Sequence, residues 1–459
     1  MNIRRIILSL LLIGSFTTAL AGPKNGGINE EIDALKARVS ELEQLLADVT
    51  RIIDPNTGVD TIRFNRMNVQ IVSGEGIDNT FNGTGNLIIG YNALRDEQDA
   101  VAVCPDWENL DQNCNRRFGS HNLIMGSRNN YYTFGGIVSG YKNEFVSFNT
   151  AVIGGTYNTA IADGSVVIGG QFSSAEGLYS ASFGGARNKA LGAGSSIIGG
   201  IGNQAEGYFS ALFGGYLNAS AGKYSVTVGG EENVALGESS TVSGGYDNTA
   251  TGIGSAVSGG TNNNAIGKYS AVSGGGANDA KGEGSSISGG VRNETISDAS
   301  HVSGGAFNRS IGVYSVVSGG HSNTASNLAS TVSGGYGNQA TSPYSNVSGG
   351  KNNIAFGEGA SITGGEDNHT DSYVASISGG RSNHASGDAA SISGGYLNYA
   401  QDNQSSVTGG FNGRATGAWS TVSGGNGNAA TGGFSSVSGG TGQTASSNSC
   451  TVADNYTDC

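Results

Sequence analysis

The chain has 459 residues, including 80 glycines and 4 prolines, with 13% charged residues and a formal net charge of −13. This amount of glycine excludes a mainly helical fold. The acidic balance argues against nucleic acid and anionic membrane surfaces as partners, because neutralising phosphates requires clustered lysine and arginine.

Residues 1–21 have the pattern of a Sec signal peptide. Arg4 and Arg5 precede an apolar run over residues 6–13, and Ala19-Leu20-Ala21 forms a small-residue cleavage site before Gly22. The apolar run is too short to span a membrane. We therefore expect export to the extracellular space or the cell surface, and no transmembrane segment in the mature chain.

Residues 22–54 are predicted to form a linker and a coiled coil. The apolar residues step by four and three in alternation, which is the spacing of a heptad seam. The seam residues are Ile28, Ile32, Leu35, Val39, Leu42, Leu46, Val49 and Ile53. This pattern predicts pairing with copies of the same chain, but it does not decide between a dimer and a trimer. The alternative is an amphipathic helix that packs on its own chain. Pro55, Asn56 and Gly58 are expected to end the helix.

Residues 55–153 are predicted to be a transition region with degenerate coils. Segments 86–92, 122–129 and 137–143 each repeat an apolar strand followed by glycine and asparagine. An insertion at about residues 94–117 is acidic, and a disulfide between Cys104 and Cys114 would staple it. A calcium site is conceivable there, but the spacing fits no EF-hand loop, which favours a solvated acidic loop.

Residues 154–440 carry a Gly-Gly pair every fifteen residues. Strict repetition at a short period predicts a solenoid, in which each coil buries its apolar side chains against the next coil. Two residues before the first glycine stands valine or isoleucine, as in Val257 and Ile287, and six residues after it stands alanine in many coils, as in Ala265. These residues are the predicted core. The fold class is therefore all-β, a parallel β-solenoid or β-roll after a short helical coiled coil.

Asparagine stands four residues after the first glycine in nearly every coil, as in Asn158, Asn248 and Asn323. Stacked asparagines can hydrogen-bond along the solenoid axis and accept left-handed turn geometry, so we interpret them as structural rather than ligand-binding. The serines beside the valine column are expected to face solvent or to form similar ladders.

Aromatic residues stand ten residues after the first glycine in several coils. They are Tyr179, Phe209, Tyr224, Tyr269, Tyr314, Tyr344, Trp419 and Phe434. Spaced aromatic rings can stack on sugars or bury in a partner protein, which makes them candidate ligand-binding residues. Packing between subunits or between coils is the preferred interpretation.

The repeats offer no residues with a predicted catalytic role. The repeat serines have no histidine at a matching offset, and constant coils leave no irregular loops to build a cleft. His369 and His384 lie one coil apart and could approach each other. We nevertheless predict no metal, no cofactor and no enzymatic activity.

Residues 441–459 are predicted to be a C-terminal cap that contains Cys450 and Cys459. Four cysteines allow three pairings, and the local pairs Cys104 with Cys114 and Cys450 with Cys459 are the simplest. A redox or metal-binding role is the alternative, although neither pair has the C-x-x-C spacing.

The repeat resembles the head of trimeric autotransporter adhesins, the YadA-like left-handed β-roll. Segment 248–255 is similar to the family's Ala-x-Ala-x-Gly half with asparagine in place of the first alanine, and segment 255–260 is similar to its Ser-Val-Ala-Ile-Gly half with one residue added. The resemblance covers about two-thirds of the chain and implies a homotrimer with a role in surface attachment. In the family the stalk follows the head and a membrane anchor ends the chain. Here the coiled coil comes first and the chain ends at Cys459, so we do not expect autotransport.

Three functional classes follow from these patterns. The first is a secreted or surface-displayed adhesin-like protein that forms an oligomeric spike and attaches to a surface glycan or protein. The second is a solenoid that binds an ordered ligand, either glycan or ice. The third and least favoured is a polysaccharide-degrading β-helix enzyme, which would need convergent acids on irregular coils.

Overall fold

The structure is a computed structural model that describes residues 27–95, 115–454 and 456–459. The chain forms two compact units, one up to Ile71 and the other from Val72 onward. The predicted signal peptide, linker residues 22–26, Cys104, Cys114 and most of the acidic insertion lie outside the described residues.

The first unit contains helix α1, Gly27–Leu45, and a hairpin of strands β1, Val49–Ile53, and β2, Asp60–Phe64. The two strands are antiparallel, with Val49 opposite Phe64. The prediction that the helix continues to Ile53 is wrong. Four of the five β1 residues are β-branched, and such residues favour strands. The segment with Pro55, Asn56 and Gly58 turns the hairpin instead of ending the helix.

The seam residues that lie on helix α1 are not covered by other parts of the described chain. None of its residues is buried, and Ile28, Ile32, Leu35 and Val39 are each between 44% and 66% exposed in the single chain. Leu46, Val49 and Ile53 lie beyond the helix, so they cannot extend a helical seam. The helix therefore presents a shorter heptad seam than the sequence predicted, and the partner of this seam stays a prediction.

The second unit confirms the parallel β-solenoid of fifteen-residue coils. We number each coil from its repeat serine, so that positions 1 to 15 of one coil are residues 255–269. Position 3 is then Val257, positions 5 and 6 are the paired glycines, position 9 is Asn263 and position 11 is Ala265. Two parallel sheets run along the solenoid, one through positions 2 to 4 and the other through positions 10 and 11.

The strands of the first sheet are stacked one per coil. They are Leu87–Ile89, Leu123–Met125, Ile137–Val138, Ala151–Ile153, Val166–Ile168, Ala181–Phe183, Ser196–Ile198, Ala211–Phe213, Val226–Val228, Thr241–Val242, Ala256–Val257, Ala271–Val272, Ser286–Ile287, His301–Val302, Val316–Val317, Thr331–Val332, Asn346–Val347, Ser361–Ile362, Ser376–Ile377, Ser391–Ile392, Ser406–Val407, Thr421–Val422, Ser436–Val437 and Thr451–Ala453. The first three belong to the degenerate early segments, which therefore form part of this sheet.

The second sheet is built in the same way. Its strands are Asn130–Tyr131, Glu144–Phe145, Thr159–Ala160, Ser174–Ala175, Lys189–Ala190, Gln204–Ala205, Ala219–Ser220, Val234–Ala235, Thr249–Ala250, Asn264–Ala265, Asp279–Ala280, Glu294–Thr295, Arg309–Ser310, Thr324–Ala325, Gln339–Ala340, Ile354–Ala355, His369–Thr370, His384–Ala385, Tyr399–Ala400, Arg414–Ala415, Ala429–Ala430 and Thr444–Ala445. A ladder of single parallel bridges at position 7, such as Thr261 with Gly276, lies between the two sheets in each coil.

The register steps by one coil throughout, so equivalent residues stack on each other. Val257 pairs with Val272 and Ala265 pairs with Ala280. From Ala235 to Ala445, the buried valine, isoleucine and alanine residues of the two columns are at most 1% exposed. This confirms the predicted core. Polar residues interrupt it in the earlier coils, where Ser182, Ser220 and Thr227 occupy buried core positions.

Positions 6, 8 and 15 have positive φ in every coil from residue 150 onward. In the coil 255–269 they are Gly260, Asn262 and Tyr269, with φ values of 90°, 54° and 57°. The ladder asparagine at position 9 is not one of them, so its tolerance of left-handed geometry is not used here. Its role is hydrogen bonding instead.

The asparagine ladder joins neighbouring coils. The Oδ1 atom of Asn308 accepts the backbone N–H of Asn323 at 3.0 Å. Its Nδ2 donates to the carbonyl oxygens of Gly304 in the same coil and Gly320 in the next, at 2.8 and 3.0 Å. Because Asn308 is fully buried, these bonds replace water that cannot reach the turn. The structural interpretation of the ladder is confirmed.

The serines next to the valine column face in two directions. Those at position 4, such as Ser258, are exposed as expected, but those at position 1, such as Ser255, are buried. The hydroxyl of Ser255 and several equivalent hydroxyls have no hydrogen-bond partner. The expectation of solvent-facing or ladder-forming serines is therefore wrong at position 1, because alternation along the strand places positions 1 and 3 on the same inner side.

Each end of the described solenoid has its own closing structure. Near the beginning, Arg95 and Arg116 form buried ion pairs with Glu144 at 3.3 and 2.8 Å. At the other end, Tyr456–Asp458 adds antiparallel to Thr451–Ala453, and Cys450 at position 1 forms a disulfide with Cys459. The added C-terminal strand covers the edge of Thr451–Ala453, which would otherwise be open to pairing.

Candidate functional site

The predicted aromatic column lies on the outer surface at position 15. All eight rings are exposed, from 45% at Tyr224 to 70% at Tyr179. Each of these residues has positive φ, an unusual conformation for a bulky side chain. The turn geometry of every coil imposes it, and glycine occupies the same position in other coils, as at Gly254.

The rings pack on the preceding coil. A Cβ atom placed on Gly164, Gly194 or Gly254 would lie 2.5 or 2.6 Å from the ring fifteen residues later. Where two aromatic residues are consecutive, the rings stack, with centroids 6.2 Å apart for Phe209 and Tyr224 and 5.8 Å apart for Trp419 and Phe434. Packing between coils is therefore present. Contact with a glycan or a partner stays a prediction, since the outer parts of the rings remain accessible.

A second exposed feature was missed by the sequence analysis. In six consecutive coils the residue at position 4 is large, apolar and 37% to 49% exposed. We call these residues the apolar stripe: Ile153, Ile168, Phe183, Ile198, Phe213 and Val228. They pair in register from coil to coil. At ~4.8 Å per coil the stripe extends for about 24 Å.

The stripe ends abruptly at a change of coil type. From Ser243 to Ser438 position 4 is always serine or threonine, and the first-sheet strands of these coils have two residues instead of three. The first glycine of the pair has φ values of 64° to 74° in the stripe coils, as at Gly229, but is outside the left-handed region from Gly274 onward. In the stripe coils, the left-handed turn at the first glycine thus accompanies a strand that includes position 4 as its third residue.

The signal for the stripe was present in the sequence. Ile153, Phe183 and Phe213 stand directly before a glycine pair, where the later coils have serine. In a strand, a residue next to a buried valine points to the opposite side. A large apolar residue at that place therefore predicts an exposed apolar surface, which is unusual on a soluble monomer.

Charged residues on the second sheet form ladders of alternating sign. Glu294 accepts hydrogen bonds from Lys281 at 2.6 Å and Arg309 at 2.9 Å, and Lys281 also lies 3.6 Å from Asp279. Burial raises the pKa of Glu294, but the hydrogen bonds from Lys281 and Arg309 outweigh it, so this pKa lies below its ordinary value. The positive and negative side chains on this part of the surface therefore compensate each other's charge.

His369 and His384 occupy the same sheet position as Glu294, in two neighbouring coils. The structure brings them together with Asp371, a residue that the sequence analysis did not consider. The Nε2 atoms of the two histidines each lie 2.5 Å from a different carboxylate oxygen of Asp371. Among the described residues, this is the group of histidine, cysteine and acidic side chains that converges closely enough to hold a metal ion.

Comparison with known proteins gives no assignment. No family model matches the chain, and no curated protein matches it significantly. Within the described part of the chain, no helix has the length and apolar character needed to cross a membrane. The resemblance to trimeric autotransporter adhesins therefore stays a prediction, whereas the repeat solenoid itself is established by the geometry.

Proposed function

We propose that the chain is an exported, non-enzymatic structural protein that assembles with copies of itself and uses the repeated outer surface of its solenoid for attachment. The observation that carries this proposal is the apolar stripe. Six large apolar side chains in register form a continuous exposed surface, and burying such a surface is the main driving force for association.

The occupant that fits the stripe best is a second copy of this chain. In four of the six stripe coils position 2, which also points outward, is alanine or serine, as at Ala151 and Ala211, and these small residues allow close approach of another sheet face. The chain also carries a second open apolar surface on helix α1. Two separate apolar surfaces on one acidic chain are the pattern of an obligate oligomer, whose interfaces are more apolar than transient ones.

Solution mass tests the assembly. We expect the exported chain to be an oligomer by size exclusion with light scattering. Replacing Ile168, Ile198 and Phe213 with serine inserts the residue that the later coils carry at position 4, so the fold should survive while association weakens. The matched control replaces Leu236, Ile253 and Ile266 with serine, which removes equally exposed apolar residues outside the stripe.

The contribution of the helix is separated by a second set of variants in the full chain. Lysine in place of Ile32, Leu35 and Val39 should disrupt association through the helical seam, and it changes no residue of the solenoid. We expect a monomer only when seam and stripe are both changed. A monomeric wild-type chain would refute the proposed assembly, and an unchanged association constant in the stripe variant would remove the stripe from the interface.

The attachment role rests on the aromatic column. We expect the variant with alanine at Tyr269, Tyr314 and Tyr344 to lose binding of the purified protein to immobilised polysaccharides or cell surfaces while keeping its oligomeric mass. If attachment and oligomerisation both survive unchanged, those rings are neither receptor contacts nor interface. N-terminal sequencing of protein recovered from the medium tests the export step, with Gly22 expected as the first residue.

A further inference from the structure

The cluster of His369, Asp371 and His384 is built by two rules of the solenoid. His369 and Asp371 are two residues apart along one extended segment, so both side chains point outward. His384 is the register partner of His369 in the next coil. The ring centroids of the two histidines lie 5.2 Å apart, close to the spacing of neighbouring strands. The fold thus fixes three ligand-type side chains on one small patch.

The donor atoms lie close together. The two Nε2 atoms approach opposite oxygens of the same carboxylate, and all three ligand atoms lie within 4.8 Å of one another. In a tetrahedral site with bonds of about 2.0–2.2 Å, ligand atoms lie about 3.3 Å apart. Each histidine nitrogen therefore needs to move about 0.8 Å away from the carboxylate oxygen that it now contacts, a change that small rotamer adjustments allow.

We propose that His369, Asp371 and His384 bind one divalent transition-metal ion, of which Zn²⁺ is the representative, on the outer face of the second sheet. Two imidazoles and one carboxylate are a ligand set that suits zinc, copper, nickel and iron. All three side chains are 35% to 38% exposed, so an ion can enter from solvent and keep water in its remaining position.

A purely ionic role for Asp371 fits the surroundings less well. Five coils earlier, at the position of His369, Glu294 is neutralised by Lys281 and Arg309. Besides His384, positions 10 and 12 of the coils directly before and after Asp371 hold Ile354, Phe356 and Ser386, which carry no charge. At these positions of the three coils no lysine or arginine stands beside the carboxylate, and a bound cation would supply the counter-charge.

The ion would join two neighbouring coils. His369 and Asp371 belong to one coil and His384 to the next, so a metal bond across them adds a link that the unfolded chain lacks. A ligand that binds only the folded state raises its stability in proportion to the logarithm of its concentration above Kd. The site is thus a local staple in a solenoid whose coils contact only their neighbours.

Titration calorimetry on the full exported chain, purified without a histidine tag, tests the site. We expect one Zn²⁺ per chain, and no binding of Ca²⁺ or Mg²⁺, which prefer all-oxygen sites. His384→Thr and Asp371→Ser place residues that occur at positions 10 and 12 of other coils, so the fold should be kept. Each should weaken Zn²⁺ binding at least about 100-fold, because even outer-shell changes weaken binding 10–100-fold.

The control is His321→Ala, because that histidine is stacked on Tyr336 at position 7 and lies outside the cluster. It should bind Zn²⁺ like the wild type. Added Zn²⁺ should raise the melting temperature of the wild type and of His321→Ala, but not that of His384→Thr. Absence of saturable binding, or binding that His384→Thr and Asp371→Ser leave unchanged, would overturn the proposal.

Discussion

A Cβ atom on Gly275 would lie 2.1 Å from the carbonyl oxygen of Gly290 in the next coil. Gly275 also has a φ of 88°, so both space and backbone conformation require glycine at position 6. Gly274, the other member of the pair, is outside the left-handed region and has no heavy atom within 4 Å of its Cβ direction. The two glycines of the repeat are therefore not equivalent in the later coils.

The first prediction is that Gly275→Ala destabilises the solenoid by about 2–4 kcal/mol, from strain and displaced backbone, whereas Gly274→Ala changes stability by less than about 1 kcal/mol. Urea unfolding measures both. Hydrogen exchange should show that the loss of protection in Gly275→Ala is concentrated in the coils next to the mutation. Equal effects of the two substitutions would contradict this assignment.

The second prediction concerns the asparagine ladder. Asn308→Ala removes the acceptor for the N–H of Asn323 and the donor for two carbonyl oxygens. Because the bond to the N–H of Asn323 is buried and the bonds to the two carbonyl oxygens are part-buried, we expect a loss of about 3 kcal/mol, at ~1–3 kcal/mol for each unsatisfied group. Ser255→Ala is the contrasting control, since its buried hydroxyl has no partner and its removal should be neutral or stabilising.

The ladder also offers a gain-of-stability test. Gly413 stands at position 9 and cannot supply the side-chain oxygen that would accept the N–H of Asn428. Gly413→Asn should restore this bond and stabilise the protein by about 1 kcal/mol. The new Cβ would lie 3.0 Å from Asn398 Oδ1 and 3.3 Å from two valine methyl groups, so these neighbours must shift slightly. A lower midpoint of urea unfolding would show that this site is too tight.

The sequence could predict the solenoid because every coil repeats the same local constraints. The core columns at Val257 and Ala265 and the ladder at Asn263 followed from the period alone. The end of helix α1 was not predictable from the heptad pattern, because Val49 and Ile53 fit that spacing and were drawn into a strand by pairing with Phe64 and Asp60. Local propensity and tertiary pairing together overrode the periodicity.

The candidate sites were predictable only in part. The outward position of the aromatic column followed from the repeat, but its packing on residues such as Gly254 depends on the turn conformation. The meeting of His369 with His384 followed from the period, whereas Asp371 was overlooked because it stands two residues away on the same side. The apolar stripe needed a comparison between coils, with Ile198 in one and Ser258 in another.

The third prediction concerns the polar break in the core. Ser220 and Thr227 are fully buried and joined by a hydrogen bond of 2.8 Å. Replacing both partners with apolar residues of similar shape is often neutral or stabilising. We expect the double variant Ser220→Ala with Thr227→Val to gain up to about 2 kcal/mol. A double-mutant cycle by urea unfolding should show a coupling of about 0.5–1 kcal/mol. A strongly destabilised double variant would indicate that the hydroxyls are required.

The fourth prediction concerns the buried charges near the beginning of the solenoid. Glu144 is 4% exposed and pairs with both Arg95 and Arg116, while Arg95 also donates to the carbonyl oxygens of Lys142 and Asn143. Burial lowers the pKa of Arg95, although the charge of Glu144 opposes this shift. The carboxylate therefore balances guanidinium groups that have been removed from water.

Glu144→Gln keeps the shape of the side chain and leaves those guanidinium groups without their counter-charge. We expect a loss of about 3–5 kcal/mol, the usual effect of breaking a buried ion pair from one side. The control is Glu238→Gln at the exposed pair with Lys223, which should change stability by less than about 1 kcal/mol. Urea unfolding gives both values, and hydrogen exchange at residues 123–160 should locate the effect in the first coils. If Glu144→Gln is as mild as the control, the early coils do not depend on this ion pair, because water or other carbonyl groups would then compensate the arginines.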